Sequence, residues 1–234
     1  MKQYNIIDLF AGVGGLSYGF SQLPQFKILA ANEIEKDISV AYKLNHPDVE
    51  MLNFDIKDLT EDILTQTLNG KKIDIVVGGP PCQSYSTLGK RKMDERANLF
   101  KQYKRILKIL QPTAFVFENV VGILSMDNGK LFRQIRAEFE ELGYTVKKDI
   151  LDAVNFGVPQ HRERVILVGF KGVNDYIYPT PTHGEGLKAY VTLKDALDDL
   201  PSLKSGEESN RYATDPTNEF LKFVRKNTGD YVDE

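Results

Sequence analysis

Cys82 is the only cysteine in the chain. It follows a β-branched apolar run in the segment Gly78-Gly79-Pro80-Pro81-Cys82-Gln83-Ser84. A lone cysteine is more often a small core residue than a reagent. Here two prolines stiffen the backbone before it, and polar Gln83, Ser84 and Ser86 follow in a long loop. A rigidly aimed, exposed thiol of this kind suits a nucleophile. Lys90-Arg91-Lys92 in the same loop is either a solvated charge run or a grip on phosphates. Glu118 closes the apolar stretch Ala114-Phe115-Val116-Phe117. A carboxyl at a buried strand end loses its hydration and holds its proton, so it could donate one; a solvated strand terminus is the plainer alternative. Arg162 and Arg164 lie two apart in Gln160-His161-Arg162-Glu163-Arg164. On an extended segment their side chains share a face, as an anion clamp requires, although two ordinary surface arginines would look the same.

A second set of residues points to a bound nucleoside. Ala11-Gly12-Val13-Gly14-Gly15 follows the apolar run from Ile6 to Phe10. It is not the Gly-x-Gly-x-x-Gly phosphate cradle, and alone it would mark only a tight strand-to-helix corner. Glu33 adds weight, because an acid about 20 residues after such a turn can accept from both hydroxyls of a ribose. Asp55 could accept from an adenine amino group. Together these residues imply an adenosine-containing cofactor. The chain has no Gly-Lys-Ser/Thr element, which argues against a nucleoside triphosphate.

The elements that must position these residues alternate along the chain. Strands are expected over 6–10, 27–31, 51–54, 73–77, 113–118, 144–151 and 164–170. Helices are expected over 16–23, 36–45, 97–110 and 130–142, with Gly143 as a C-terminal stop. This alternation predicts an α/β domain with a doubly wound, mostly parallel sheet, whose ligands sit at the carboxyl ends of the strands. The glycine turn, Glu33, Asp55, Cys82 and Glu118 all fall at such ends. Past Phe170 the character changes to an irregular, acidic stretch with short helices at 193–200 and 217–226. The expected division is therefore a catalytic and cofactor-binding domain over 1–172 and an irregular extension over 173–234.

Composition bounds the function class. The 234 residues are 41% hydrophobic, as expected of a folded chain of roughly one to two domains. The single cysteine excludes an intrachain disulfide framework and a multi-thiolate metal site, and His46, His161 and His183 are too scattered to suggest zinc. No metal is expected. No apolar run approaches the roughly 20 residues of a membrane helix, and Asp8 interrupts any signal-peptide core. A soluble protein of a reducing, cytoplasmic compartment is expected. The net charge of −3 (30 basic against 33 acidic residues) leaves any polyanion contact to a local patch.

The motifs resemble those of the DNA (cytosine-5) methyltransferases of bacterial restriction-modification type. Six segments carry the resemblance in family order: 8–15, Asn32-Glu33, Asp55-Ile56, 79–86, Glu118-Asn119-Val120 and 160–164. It implies a Rossmann-like fold and transfer of a methyl from S-adenosylmethionine to carbon-5 of a flipped-out cytosine in double-stranded DNA. Cys82 resembles the nucleophile that attacks carbon-6. Glu118 would contact the ring nitrogen and exocyclic amine, Arg164 the carbonyl oxygen, and Arg162 a phosphate or the loop. For the cofactor, Phe10 would lie against the adenine, while Gly12 and Gly14, with Asp8 and Gly15 in the same motif, would let the backbone approach the methionine part. Glu33 would hold the ribose, Ile34 cover the adenine and Asp55 bind its amino group. Ile56, Pro81 and Leu99 match neighbouring wall positions. Ile34 stands where many members carry an aromatic, which predicts weaker adenine stacking.

The family's target-recognition region and final motif are not recognisable. On this reading the chain is a fragment, or the larger subunit of a split enzyme whose partner supplies the rest and with it the sequence specificity. The resemblance also predicts a bacterial, cytoplasmic location, at the nucleoid when DNA is bound. Two alternatives are carried: the RNA-directed branch of the family, which methylates transfer RNA, and a non-catalytic regulatory protein with the same fold. The latter would be expected to have lost Cys82 or Glu118.

Overall fold

The computed structural model describes residues 2–81, 99–173 and 175–226. Seven strands form one sheet: β1 (Tyr4–Leu9), β2 (Phe26–Asn32), β3 (Glu50–Leu52), β4 (Ile75–Gly78), β5 (Ala114–Val120), β6 (Tyr144–Asp152) and β7 (Glu163–Lys171). Their spatial order is β3-β2-β1-β4-β5-β7-β6. The five strands from β3 to β5 pair in parallel, whereas β7 runs antiparallel to β5. From β1 the chain winds outward through β2 and β3, then returns to place β4 on the other side of β1. The switch point between β1 and β4 is where open α/β sheets bind ligands. The doubly wound, mostly parallel architecture is as expected.

The helices are α1 (Gly15–Ser21), α2 (Lys36–Asn45), α3 (Glu61–Leu68), α4 (Leu99–Leu110), α5 (Lys130–Glu140), α6 (Leu193–Leu197) and α7 (Glu219–Val224). Helix α3 is not among those expected from the sequence. Its signal is short: Thr60 caps it by accepting from the Ile63 N–H, Glu61 and Asp62 fill the first turn, and only Leu64 and Leu68 are buried. The helices expected at 193–200 and 217–226 are each shorter than that.

Period-2 alternation sorts the core onto the two faces of the sheet. Ile7 and Leu9 of β1 join Val76, Phe115 and Phe117 against α3, α4 and α5, while Ile6 joins Ala31, Val77 and Tyr42 on the other face. Tyr103 of α4 is fully buried among Phe115, Phe117 and Phe139. Its hydroxyl reaches the carbonyls of both Val76 and Val116, on adjacent strands, at 3.0 Å each.

The chain divides into two compact units, Met1–Ile150 with Arg164–Tyr178, and Leu151–Glu163 with Pro179–Glu234. This differs from a cut at 172/173 chiefly in that 151–163 groups with the C-terminal part. Among the described residues no helix is long and apolar enough to cross a membrane.

Candidate active site

The chain leaves β1 through a strained corner. Phe10 adopts φ 58° and Gly12 φ 57°. A bulky residue in the left-handed region costs on the order of 1–3 kcal/mol and tends to persist where function requires it. The expected strand over 6–10 thus ends one residue early, and the turn delivers the Phe10 ring to a cavity of about 220 Å³. The cavity is lined by Phe10, Asn32, Glu33, Ile34, Asp55, Ile56, Lys57, Pro81 and Leu99.

Seven of the expected cofactor residues therefore meet in one place, from the exits of β1 to β4 and the start of α4. Glu33 is fixed on both oxygens: Oε2 accepts from the Gly12 N–H and Oε1 from the Glu35 N–H, each at 3.0 Å. A carboxylate offers about four acceptor positions, so lone pairs remain for a ligand. Asp55 Oδ1 accepts from the Lys57 N–H at 2.9 Å, and its Oδ2 lies 3.8 Å from Lys57 Nζ. Two carboxylates among apolar walls suit a ligand with vicinal hydroxyls at one end and an aromatic amino group at the other.

Two wall residues, Asn32 and Lys57, are not among the expected site residues. Asn32 is buried and its Nδ2 donates to the Leu52 and Phe54 carbonyls at 2.8 and 2.9 Å, tying the end of β2 to the exit of β3. Its place beside Glu33 is the available signal. Lys57 gives none beyond adjacency to Asp55-Ile56.

Asp8, Gly12, Gly14 and Gly15 are not in the cavity wall. Gly12 reaches it through its N–H on Glu33. Asp8 shares the Ile6 face of β1 and is buried beneath α1, where Ser17 Oγ donates to its Oδ2 at 2.6 Å. Ser17 Oγ is 2.9 Å from the Tyr42 hydroxyl. Loss of hydration pushes the Asp8 carboxyl up to about 7, with the Ser17 bonds opposing and the nearby Glu33 charge adding to the rise. The absent side chain at Gly14 is accounted for inside the protein: φ is +92°, and a Cβ there would lie 2.4 Å from the His46 ring.

A second group of residues stands at the end of β5. Arg164 Nε and Glu118 Oε1 form an ion pair at 2.7 Å. Glu118 faces Ile166 and Val120 faces Arg164 in the register, so the pair is diagonal across the two strands. Because β7 runs antiparallel, its first residues lie at the edge where the parallel strands end. That places Arg164 beside Glu118. The Glu118 side chain is 28% exposed and ion-paired to Arg164. Gly79 admits its carboxylate: a Cβ there would be 2.7 Å from Glu118 Oε2. Asn119 is buried and its Nδ2 donates to the Pro80 carbonyl at 3.0 Å, fastening the segment that leads to Cys82.

Arg162 belongs to the other compact unit. Its N–H donates to Asp152 Oδ1 at 2.8 Å, and the same carboxylate meets His161 Nδ1 at 3.0 Å. Cys82 and Lys90-Arg91-Lys92 lie outside the described residues.

Fold and site together define a doubly wound α/β domain with a cavity lined by two carboxylates at the carboxyl ends of its strands and a carboxylate–guanidinium pair at the end of β5. The chain belongs to the C-5 cytosine-specific DNA methylase family, whose model matches residues 4–231. It is 40% identical over 237 residues to the Type II methyltransferase M1.HphI of Haemophilus parahaemolyticus, covering 97% of this chain and 62% of that protein. It is likewise 40% identical over 235 residues to the Type II methyltransferase M.DdeI of Desulfomicrobium norvegicum, over 95% of this chain and 55% of that one. The chain thus spans about six tenths of the length of these curated relatives. A solved structure of an E. coli prophage-encoded protein assigned as a DNA modification methyltransferase superposes with a TM-score of 0.78 at 27% identity, over 94% of this chain and 63% of that one.

Proposed function

We propose that this chain carries the cofactor-binding and catalytic machinery of a DNA (cytosine-5) methyltransferase. The observation that carries the reading is the cavity that gathers Phe10, Glu33, Ile34, Asp55, Ile56, Pro81 and Leu99, with the Glu118–Arg164 pair at the end of β5. Glu33 would hold the ribose of S-adenosylmethionine, Asp55 its adenine amino group, and Phe10 and Ile34 the faces of the ring. When bound, that cofactor supplies an electrophilic methyl group.

Carbon-5 of cytosine is a poor nucleophile, and the chain's own residues would have to activate it. The Cys82 thiolate adds to carbon-6, and the electrons of the carbon-5–carbon-6 double bond become available at carbon-5. Glu118 and Arg164 hold the polar edge of the base as charge develops there. Groups preorganised in this way contribute on the order of 3–4 kcal/mol. Once carbon-5 has taken the methyl group, with the cofactor's sulfur leaving as a neutral thioether, loss of the carbon-5 proton to solvent would expel the Cys82 thiolate and restore the carbon-5–carbon-6 double bond. The base must leave the duplex stack to reach these groups, at a cost of a few kcal/mol. Arg162 would contact a phosphate or position the loop.

The functional division is proposed as catalytic over 1–172, with 173–234 leading toward a recognition region. The partner proposed is double-stranded DNA. The test is covalent trapping on duplexes containing 5-fluorocytosine, with S-adenosylmethionine, for the chain alone and with a polypeptide supplying the remaining length of M1.HphI. A trapped adduct that Cys82→Ser abolishes is expected. No adduct in either arm, or an adduct on 5-fluorocytosine RNA alone, overturns the reading.

A further inference from the structure

We infer that Asn45 and His46, at the end of α2, are positioning residues that set cofactor affinity by clamping the glycine turn from behind; this rests on the cofactor reading of the cavity. The turn is tied at its ends by the backbone, Ala11 N–H to the Asn32 carbonyl at 3.0 Å and Tyr18 N–H to the Gly14 carbonyl at 2.8 Å, but its middle has few bonds of its own. Phe10, Gly12 and Gly14 all lie in the left-handed region, and its main internal bond is Gly14 N–H to the Ala11 carbonyl at 3.0 Å. On the cavity side it is held by Gly12 N–H on Glu33.

On the far side, the end of α2 reaches two of its carbonyls, those of Val13 and Gly14. Asn45 Nδ2 donates to the Val13 carbonyl at 2.8 Å. His46 Nε2 lies 3.0 Å from the Gly14 carbonyl, and a carbonyl can only accept, so His46 carries its hydrogen on Nε2. The His46 ring is 6% exposed, packs 4.7 Å from the Tyr42 ring, and fills the space a Gly14 side chain would need. Gly14 and His46 are therefore complementary in shape as well as bonded. Tyr42, one turn earlier, meets Ser17 of α1, the helix that follows the turn. Neither Asn45 nor His46 lines the cavity, yet the residues they grip directly follow Gly12, whose N–H braces Glu33. A loosened turn lets the Gly12–Glu33 bond open and the carboxylate wander from its ligand-binding position.

The test is S-adenosylmethionine affinity by calorimetry on the full chain, alongside urea unfolding without cofactor. His46→Phe keeps the ring and its packing but deletes the donor, and should raise Kd about fivefold, the worth of one net hydrogen bond. Asn45→Ala, at an exposed position, should do the same, and the double variant should lose more than either. His46→Gln restores an N–H donor and should recover most of the affinity, which a purely structural role would not require. Folded His46→Phe and Asn45→Ala proteins that bind as tightly as wild type overturn the inference. Should His46→Phe fail to fold, Asn45→Ala decides alone. Glu33→Ala separates the two layers. If it weakens binding and the α2 variants do not, only the clamp is wrong. If it too binds as wild type, or the wild type does not bind, the cavity reading falls and the clamp with it.

Discussion

Replacing Glu33 is the sharpest probe of the cavity, because the structure gives the carboxylate two jobs. Its oxygens brace the Gly12 and Glu35 amides, at 3.0 Å each, and would use their remaining lone pairs on a ribose. Glu33→Ala removes the charged acceptor from both. Hydrogen bonds to a charged group contribute about 1.5–3 kcal/mol, so S-adenosylmethionine should bind about 10–150-fold more weakly. The two amides lie near the surface, where water can replace the lost acceptor, so unfolding free energy should fall by only about 1 kcal/mol. Glu33→Gln is the informative companion. An amide must turn its NH₂ toward Gly12 or Glu35, both of which present N–H donors, so one of the two braces is lost whichever way it faces. Glutamine should therefore rescue poorly, although it is nearly isosteric. Calorimetry gives the affinity and urea titration the stability. A Kd for Glu33→Ala within twofold of wild type, with a lowered unfolding midpoint, would refute the ribose assignment and leave Glu33 as a turn brace only.

Further outcomes follow from the same geometry. Arg164→Ala should cost about 1 kcal/mol or less of stability, as expected for a partly exposed pair, yet lower the methylation rate of the complete enzyme about 100-fold or more; equal losses in both would remove it from the chemistry. Gly79→Ala puts a methyl 2.7 Å from Glu118 Oε2 and 3.3 Å from the Glu118 carbonyl, so it should displace the carboxylate and cut turnover while cofactor affinity is kept; unchanged turnover would count against Glu118 as a base contact. Cys82→Ser should abolish transfer with cofactor affinity nearly unchanged, since a hydroxyl is a far weaker nucleophile than a thiolate at neutral pH; activity within about tenfold of wild type would end the covalent mechanism. Asp8 is raised from 3.8 to about 7, so the folded state holds a proton that the unfolded chain releases. Its contribution to stability should be fully present below about pH 4 and be lost as the pH rises through about 7, on the order of 4 kcal/mol in all. Asp8→Asn, which keeps an acceptor for Ser17, should flatten that slope in denaturation midpoints measured from pH 4 to 8.

Much of the sheet is legible because its strands carry their own signals. The runs at 27–31, 73–77 and 113–118 are apolar or β-branched and bounded by glycine, proline or acids. Strand β3 has only three residues and α3 buries only two, so neither holds enough periodic sequence to fix its limits, and α3 escapes notice altogether. Strand direction is different in kind. Nothing local in 163–171 says that β7 will enter between β5 and β6 and run against β5, since that follows from which hydrogen-bonding edge is open. The side chain most affected is Arg164, placed on Glu118 by that reversal.

The site divides along the same line. Glu33, Asp55 and Glu118 can be picked out because an acid directly after an apolar strand is costly unless it serves something at the strand end. Asp8 breaks that inference in an instructive way. It belongs to the same motif as the cavity residues, but alternation along β1 puts it on the Ile6 face, beneath α1, where it accepts from Ser17 instead of reaching a ligand. The period-2 pattern contains that answer, since Leu9 and Asp8 cannot face the same layer. His46 is beyond any such reasoning. Its carbonyl partner lies 32 residues away, across two helices and a strand, and an isolated histidine after a helix carries no mark of what its ring will touch. Residues that meet a ligand advertise their chemistry at strand ends, whereas residues that aim them act through backbone carbonyls, which every sequence has and none displays.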